Sequence, residues 1–203
     1  LGLAAGDYQI RISTGRDYTT PYLLTIQPDG ARAATHEEEP NDDYQHAWPF
    51  DMGLPMKGGV AADHYDLDFY KITVDARFAA AQWQLTATPS VPADYELCLL
   101  DDKAVSIQCR TGDGGEILPS LTDLTFVPGE YSITLRDKAQ KGADYTLAWE
   151  EIGELPAGRE NEPNDDIAHA WPFSATSAIQ GRFVGYEDDY YQFTATGAAQ
   201  LWR

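Results

Sequence analysis

The chain repeats itself at an interval of 123 residues, and this repeat constrains its fold more than any other feature. Glu39-Pro40-Asn41-Asp42-Asp43 returns as Glu162-Pro163-Asn164-Asp165-Asp166, and His46-Ala47-Trp48-Pro49-Phe50 returns as His169-Ala170-Trp171-Pro172-Phe173. Ordered segments that return in one register are typical of a tandem array, in which each repeat is one structural unit. The sequence therefore predicts tandem modules.

Further matches divide the chain into one whole module and two partial ones. The same step relates Gly6–Ile10 to Gly129–Ile133, and a step two residues shorter relates Asp66–Tyr70 to Glu187–Tyr191. A module of this size can bury a core of its own. The predicted domains are the end of a first module (1–30), a linker (31–36), a complete module (37–150), a second linker (151–159) and the start of a further module (160–203).

The pattern of short strands predicts an all-β fold, an antiparallel, jelly-roll-like β-sandwich. Aromatic and β-branched segments of alternating polarity are separated by Pro, Gly and Asp-Asp turns, as strands of a sandwich are. The one helical candidate is a single turn at Asp43–Ala47, after which Trp48 and Phe50 would enter the core. The predicted strands are Leu67–Val74, Phe78–Thr88, Tyr95–Leu100, Val105–Cys109, Ile117–Phe126, Tyr131–Arg136 and Tyr145–Glu150.

The charge of the chain makes nucleic acid and anionic lipid headgroups poor candidates for partners. Its net charge is −19, with 33 acidic and 14 basic residues. Such a surface repels phosphate backbones and anionic headgroups, so we expect no nucleic acid among its partners. Membrane insertion is not expected either, because no apolar run approaches the roughly 18 residues of a spanning helix. The charge suits divalent cations, cationic ligands or simple solubility.

The two cysteines lie on neighbouring strands of one predicted hairpin. Cys98 and Cys109 flank an Asp-Asp-Lys-Ala turn, which places them nearly opposite each other. A cross-strand disulfide is the favoured interpretation, and two small buried hydrophobic side chains are the alternative. A disulfide would agree with an exported protein.

The order of the motifs resembles a known family. Glu-Pro-Asn-Asp, Ala-Trp-Pro-Phe, a glycine-containing strand, Asp-x-Asp-Phe-Tyr, Pro-Gly-Glu-Tyr and Tyr-x-Leu follow one another within 37–150, and the partial modules share parts of this series. The set resembles the bacterial pre-peptidase C-terminal domain. The resemblance implies a jelly-roll-like sandwich attached to secreted bacterial proteins, often proteases, and usually not catalytic itself. Some relatives, including the collagen-binding modules of clostridial collagenases, bind calcium at the linker leading into the module and recognise extracellular polymers.

The acidic motifs at the start of each module suggest a calcium site. The first acidic motif (residues 37–42) offers Glu37, Glu39, Asn41 and Asp42 as oxygen donors, and the second (residues 160–165) offers Glu160, Glu162, Asn164 and Asp165. Carboxylates at this density repel one another unless water or a cation separates them, and calcium takes six to eight oxygen ligands in irregular geometry. The calcium-binding relatives use a Glu-x-Glu-x-Asn-Asp sequence of this kind.

A second loop supplies carboxylates that would close each site. Asp66 and Asp68 would do so in the complete module, and Glu187 and Asp189 in the next one. The alternative to a metal site is a capped turn surrounded by solvated glutamates. His46 and His169 recur in register, but each is expected to form a turn hydrogen bond rather than to bind a metal, since neither has a second histidine nearby.

These features predict a non-catalytic, extracellular spacer or accessory region that calcium stiffens. The chain contains no Gly-x-Ser-x-Gly elbow and no phosphate-binding glycine loop, so no enzyme is predicted for this segment. The expected location is secreted, periplasmic or at the cell surface, and the expected partners are neighbouring modules of the chain. The alternatives are a module that binds an extracellular polysaccharide or protein fibre, and part of a secreted hydrolase. The polymer would contact exposed aromatic side chains, for which the candidates are Trp83, Tyr65, Tyr22 and Tyr95.

Overall fold

The computed structural model of the chain describes most of the predicted central module and parts of the segments on either side. The described residues are 3, 6–12, 21–27, 30, 33–62, 65–112, 118–155, 157–164, 166–172, 174, 177–181, 183 and 188–197. Over these residues, no helix combines the length and the apolar character of a membrane span.

Within the described residues, the central module consists of two packed sheets. Its strands are β1 (Trp48–Pro49), β2 (Met56–Val60), β3 (Leu67–Val74), β4 (Ala81–Pro89), β5 (Tyr95–Leu100), β6 (Ser106–Thr111), β7 (Ser120–Leu124), β8 (Gly129–Asp137) and β9 (Ala143–Glu154). One sheet has the order β1-β3-β8-β5-β6 and the other the order β2-β9-β4-β7. The pairing of β1 with β3 is parallel, and the other pairings in these two sheets are antiparallel. The structure confirms the predicted all-β sandwich.

The core lies between the two sheets because the strands bury alternate side chains. On β3, Tyr70, Ile72 and Val74 are buried, and on β9 Tyr145 and Leu147 are buried. These rows meet similar rows from the other strands in one continuous apolar cluster. The same alternation places Asp68 in the inward row of β3, where it is fully buried. A carboxyl group therefore lies at the margin of an otherwise apolar core.

Two predicted strands begin three residues later than the sequence suggested. The strand predicted at Phe78–Thr88 corresponds to β4, because Phe78–Ala80 form a short 3₁₀ turn. Asp75 Oδ1 accepts hydrogen bonds from the backbone N–H groups of Arg77 (2.8 Å) and Phe78 (3.0 Å) and thereby caps this turn.

The strand predicted at Ile117–Phe126 corresponds to the shorter β7, which follows Pro119, a residue with no N–H to donate. Ile117 itself lies outside the described residues. Strand β2 was not predicted, because Met-Lys-Gly-Gly-Val shows neither alternation nor a β-branched run.

Beyond the central module, a short parallel pair repeats the pairing of β1 with β3. Strand β10 (Trp171–Pro172) pairs with β11 (Tyr191–Gln192), and Trp171 lies opposite Tyr191. In the central module Trp48 lies opposite Tyr70. The two pairs are related by the two steps found in the sequence, 123 residues for the tryptophans and 121 for the tyrosines. On the other side of the central module, residues 21–27 are exposed.

Candidate cation site

The first acidic motif crosses from one sheet of the sandwich to the other. The N–H group of Glu37 donates to the carbonyl of Lys57 on β2 at 3.0 Å. Four residues later, the carbonyl of Asn41 accepts from the N–H group of Phe69 on β3 at 2.9 Å. Strand β2 is an edge of one sheet, and β3, with the two-residue β1 beside it, lies at an edge of the other. The motif therefore closes one open side of the sandwich.

Three carboxylates converge where the motif passes the start of β3. Oxygen atoms of Glu37, Glu39 and Asp68 all lie within 4.8 Å of one another. Glu37 and Asp68 are buried, and Glu39 is half-buried. Asn41 is fully buried beside them, and its Nδ2 donates to Oε2 of Glu37 at 3.2 Å. The backbone N–H of Asn41 donates to Oε2 of Glu39 at 3.1 Å.

Two tyrosine hydroxyls join this cluster from opposite sheets. Tyr70 on β3 donates its hydroxyl to Oε2 of Glu37 and contacts the hydroxyl of Tyr145 on β9. Tyr145 in turn donates to Oδ2 of Asp68, and its hydroxyl lies 3.0 Å from Oε2 of Glu37. Both aromatic rings are buried in the core. The tyrosines thus fix the positions of the two buried carboxyl groups.

Two oxygen atoms of the cluster are left without a hydrogen-bond partner among the described residues. They are Oδ1 of Asn41 and Oδ1 of Asp68, and both residues are fully buried. A buried polar atom without a partner loses its hydration with no compensation, which costs about 1–3 kcal/mol. A buried polar group of this kind needs an explanation, and a bound water or ion is one. The side-chain atoms of the cluster that could ligate a metal are oxygen atoms, and oxygen is the ligand that calcium prefers.

The carboxyl groups of the cluster have raised pKa values. Burial, reinforced by the charge of Glu37, raises the pKa of Asp68 to about 10. Burial also raises the pKa of Glu37, although hydrogen bonds from Tyr70 and the Gly59 N–H oppose it. Burial and the charge of Glu37 raise the pKa of Glu39 to about 7. At neutral pH, the cluster must therefore hold protons or a cation, because three uncompensated charges are unfavourable there.

A glycine on β2 leaves the room that the cluster needs. A Cβ atom placed on Gly58 would lie 2.5 Å from Oε2 of Glu37 and would also overlap the hydroxyl of Tyr145. A side chain at this position would therefore push the carboxylate out of place. Gly181 has the same relation to the second acidic motif, since its Cβ atom would lie 2.5 Å from Oε1 of Glu160.

The second acidic motif forms a cluster that repeats the first. Oxygen atoms of Glu160, Glu162 and Asp189 all lie within 4.8 Å of one another. The fully buried Asn164 donates through Nδ2 to Oε2 of Glu160 at 3.1 Å, and Tyr191 donates its hydroxyl to the same oxygen. Among the described residues, Oδ1 of Asn164 has no hydrogen-bond partner, like Oδ1 of Asn41.

The remaining predicted ligands lie elsewhere or outside the described residues. Asp42 is exposed, and Oδ2 of Asp66 accepts from the N–H of Ala61, so the three carboxylates that converge do not include either residue. Asp165 and Glu187 lie outside the described residues.

The two recurrent histidines form turn hydrogen bonds. Nδ1 of His46 lies 2.8 Å from Oδ1 of Asp43, and Nδ1 of His169 lies 2.8 Å from Oδ1 of Asp166. Both carboxylates also accept from the backbone N–H of the same histidine, at 3.0 Å. Each aspartate therefore caps the turn that precedes Trp48 or Trp171, which is the role that the sequence suggested for these positions.

The disulfide lies on the side of its sheet away from the carboxylate cluster. Cys98 on β5 is bonded to Cys109 on β6, its direct partner across the antiparallel pair. Strand β6 is the edge of the sheet opposite β1 and β3. The bond therefore ties down the terminal hairpin without contacting the cluster.

An open cleft lies beside the first carboxylate cluster. Its volume is about 1250 Å³, and its lining includes Glu37, Glu39, Lys57, Tyr65 and Asp144. Tyr65 is 64% exposed, whereas Trp83 and Tyr95 are buried in the core. Of the four aromatic candidates, Tyr65 and Tyr22 are exposed.

Comparison with known proteins finds similarity in structure. The chain is 14% identical to the pre-peptidase C-terminal domain of a collagenase from Bacillus anthracis, over 51% of this chain and 94% of that one, with a TM-score of 0.42. The sandwich is similar to a pre-peptidase C-terminal domain. The periplasmic inhibitor of g-type lysozyme PliG from Aeromonas hydrophila is 17% identical over 51% of this chain and 93% of that one, with a TM-score of 0.36. No family profile and no curated protein matches the chain.

Sequence reasoning missed Tyr70, Tyr145 and Gly58 as members of the site. A tyrosine in an alternating strand has the pattern of an ordinary core aromatic, and a glycine in a short strand has the pattern of a turn. The repeat itself held the missing signal. Gly58 returns as Gly181, and Tyr70 returns as Tyr191, at the same steps as the acidic residues.

Proposed function

We propose that this chain belongs to a non-catalytic, extracytoplasmic array of tandem β-sandwich modules, in which calcium bound by the acidic motif at the start of each module stiffens the linker. The observation that carries the proposal is the pair of buried oxygens without partners, Oδ1 of Asn41 and Oδ1 of Asp68, within a cluster of three carboxylates. Residue types that bind calcium are thus brought together, and the burial of two of them is otherwise unfavourable.

The residues that would hold the cation are Glu37, Glu39, Asn41 and Asp68. A bound cation would supply the positive charge that lets three carboxylates remain ionised at one place. The backbone of Glu37 is bonded to β2 in one sheet and that of Asn41 to β3 in the other, so a cation on their side chains would also hold the sheets together on this side. The tyrosines Tyr70 and Tyr145 would orient the carboxylates.

The proposed location outside the cytoplasm is supported by the disulfide. A bond between Cys98 and Cys109 persists in oxidising compartments and is uncommon in the cytosol. The net charge of −19 is compatible with such a location, since it keeps an exported surface solvated.

Isothermal titration calorimetry with calcium chloride tests the cation site. We expect binding with a dissociation constant on the order of 10⁻⁴–10⁻³ M, as in other extracellular modules, and a rise in melting temperature at millimolar calcium. Glu37→Gln should remove binding at the first site, whereas Glu150→Gln, on the exposed side of β9, should not. If the unsubstituted chain shows neither heat of binding nor a calcium-dependent melting temperature, protons and hydrogen bonds alone hold the buried carboxyl groups together, and the proposal is wrong.

A second candidate function is binding of an extracellular polymer in the cleft beside the cluster. It is supported by Tyr65, an exposed ring in the lining of that cleft, which could stack on a sugar or pack against a fibre. Co-sedimentation with insoluble cellulose, chitin and collagen fibrils tests it. Retention that Tyr65→Ala abolishes would support polymer binding, and equal recovery of both proteins in the supernatant would count against it.

A further inference from the structure

Glu39 and Glu162 each take part in two different interactions. The side chain of each glutamate belongs to a carboxylate cluster. The backbone carbonyl of each accepts a hydrogen bond from a tyrosine that lies before the cluster in the chain, namely Tyr8 for Glu39 (3.3 Å) and Tyr131 for Glu162 (3.2 Å). Tyr8 and Tyr131 are themselves separated by the repeat interval of 123 residues. The contact with the glutamate carbonyl therefore recurs at both places, and at the second one the Tyr131 hydroxyl is shared with the carbonyl of Val127 at 2.9 Å.

A backbone contact accompanies each tyrosine. Leu3 forms a parallel bridge with Glu39, and Phe126 forms a parallel bridge with Glu162. Leu3 and Phe126 are again separated by 123 residues. The segment that ends one module thus pairs with the acidic motif that begins the next one, in one register, at both joints.

The second acidic motif (residues 160–165) makes further contacts with the central module. Oγ1 of Thr125 donates to the carbonyl of Glu160 at 3.3 Å. Nδ2 of Asn161 donates to the carbonyl of Phe126 at 2.9 Å, and Asn161 is buried. Glu160 and Glu162, two of the three carboxylate residues of the second cluster, therefore have their backbone carbonyls held by the central module. The third, Asp189, comes from the segment that follows.

We infer that each cation site is completed by the module before it, with Tyr8 and Tyr131 as positioning residues for Glu39 and Glu162. The inference rests on the proposed calcium site and adds that the partner which shapes the site is the preceding module. A glutamate whose backbone is already fixed loses less conformational freedom when its carboxylate binds a cation. Cation affinity and docking of the preceding module are then linked, and the linkage acts equally in both directions.

This linkage gives calcium a specific effect on the array. Binding at Glu160, Glu162 and Asp189 would strengthen the attachment of the second motif to Thr125, Phe126 and Tyr131. The contact is head to tail, since the end of one module meets the start of the next, and such a contact can be repeated along a chain. Each joint would tighten in the same manner.

The test compares two tyrosine variants, each of which is the control for the other. Calcium affinity of the first site is measured by calorimetry in a Glu160→Gln background, and that of the second site in a Glu37→Gln background, with Asp68→Asn as a second background that silences the first site. Tyr131→Phe and Tyr8→Phe are introduced into each. Phenylalanine at position 131 keeps the edge-to-face contact with Phe126, whose ring centre lies 5.0 Å away.

The expected result is selective weakening at the site that each tyrosine touches. Loss of one hydrogen bond should weaken binding roughly two- to tenfold, so Tyr131→Phe should do so at the second site and Tyr8→Phe at the first. Unchanged affinity, or equal weakening at both sites, would overturn the inference while leaving the proposed calcium site intact. Absence of calcium binding to the unsubstituted chain would contradict the proposed function and the inference with it.

Discussion

The hydroxyl of Tyr145 donates to Oδ2 of Asp68 and thereby joins the two sheets of the sandwich at the margin of the core. Tyr145 lies on β9 and Asp68 on β3, 77 residues apart in the chain. The ring of Tyr145 packs edge-on against Tyr95, with centres 5.7 Å apart, so the hydroxyl is held in place by apolar contacts. A buried acid positioned in this manner is costly unless it is protonated or bound by a cation.

Asp68→Asn should abolish calcium binding at the first site. In the presence of a chelator at pH 8, it should nevertheless stabilise the calcium-free protein. The pKa of Asp68 is about 10, so the folded apo state must take up a proton at pH 8, whereas an amide is already neutral. We expect a melting temperature roughly 5 °C higher than wild type in chelator, and a smaller calcium-induced rise. Differential scanning calorimetry with and without calcium measures both. A destabilised variant in chelator would contradict the assigned protonation.

The free energy of unfolding of the calcium-free protein, measured in chelator, should fall as the pH rises from about 4 to 8. Glu39, with a pKa of about 7, and Asp68, with a pKa of about 10, are both raised above their usual values near 4. A carboxyl group whose pKa is higher in the folded state than in the unfolded state stabilises the folded protein at pH values below the unfolded pKa. This contribution is lost as the pH increases toward the folded pKa. Calcium competes with these protons, so its stabilising effect should be larger at pH 8 than at pH 5.

This pH dependence is measured as melting temperature in chelator and in millimolar calcium across the range. Asp68→Asn is the comparison variant, because it lacks the most strongly shifted group and should show a shallower decline between pH 5 and 8. A calcium effect that is equal at both pH values would show that binding displaces no protons from the cluster.

Removal of the disulfide should lower the stability of the module without changing its affinity for calcium. Cys98 and Cys109 are separated by 11 residues, and closing a loop of that size contributes about 2–3 kcal/mol in the loop-entropy model. The bond lies on β5 and β6, away from the cluster beside β3. We expect a lower urea midpoint for Cys98→Ala/Cys109→Ala and an unchanged calcium titration. A loss of calcium affinity in this variant would show that the two edges of the sheet are coupled.

Local sequence patterns predicted the strands where apolar segments lie between clear turn residues. Leu67–Val74 and Tyr95–Leu100 have the predicted limits, because both are rich in aromatic and aliphatic residues and turn residues flank them. The pattern failed where another local interaction competes. Asp75 caps a turn at Phe78–Ala80, and the two glycines of β2 hide a strand that is held by its pairing with β9.

The candidate site was predicted only in part, because tertiary packing brings together residues that are distant in the sequence. The acidic motif indicated Glu37, Glu39 and Asn41, and the repeat indicated Asp68. The alternation of side chains along a strand does not show which of Asp66 and Asp68 belongs to the site, because residues two positions apart point to the same face of the sheet. The structure decides it because β3 begins at Leu67, so Asp66 precedes the strand and contacts Ala61. The tyrosines reach the site because the two sheets pack against each other, and a local sequence pattern does not indicate this packing.

Gly58→Ala should disrupt the carboxylate cluster through steric overlap alone. The added Cβ atom would lie 2.5 Å from Oε2 of Glu37, too close for any real contact, so the carboxylate or the Tyr145 hydroxyl must move. Overpacking of this kind typically costs about 1–3 kcal/mol. We therefore expect a lower melting temperature in calcium and a weaker calcium affinity at the first site.

Gly153→Ala is the matched control, because Gly153 also lies on a strand of the same sheet and no atom lies within 4 Å of its added Cβ. It loses the same backbone freedom in the unfolded chain but touches nothing in the folded one. We expect Gly153→Ala to bind calcium like wild type and to be equally stable or slightly more so. If both variants bind calcium equally well, the space beside Glu37 has no part in holding the cation, and the ligands must be sought among other oxygens of the motif.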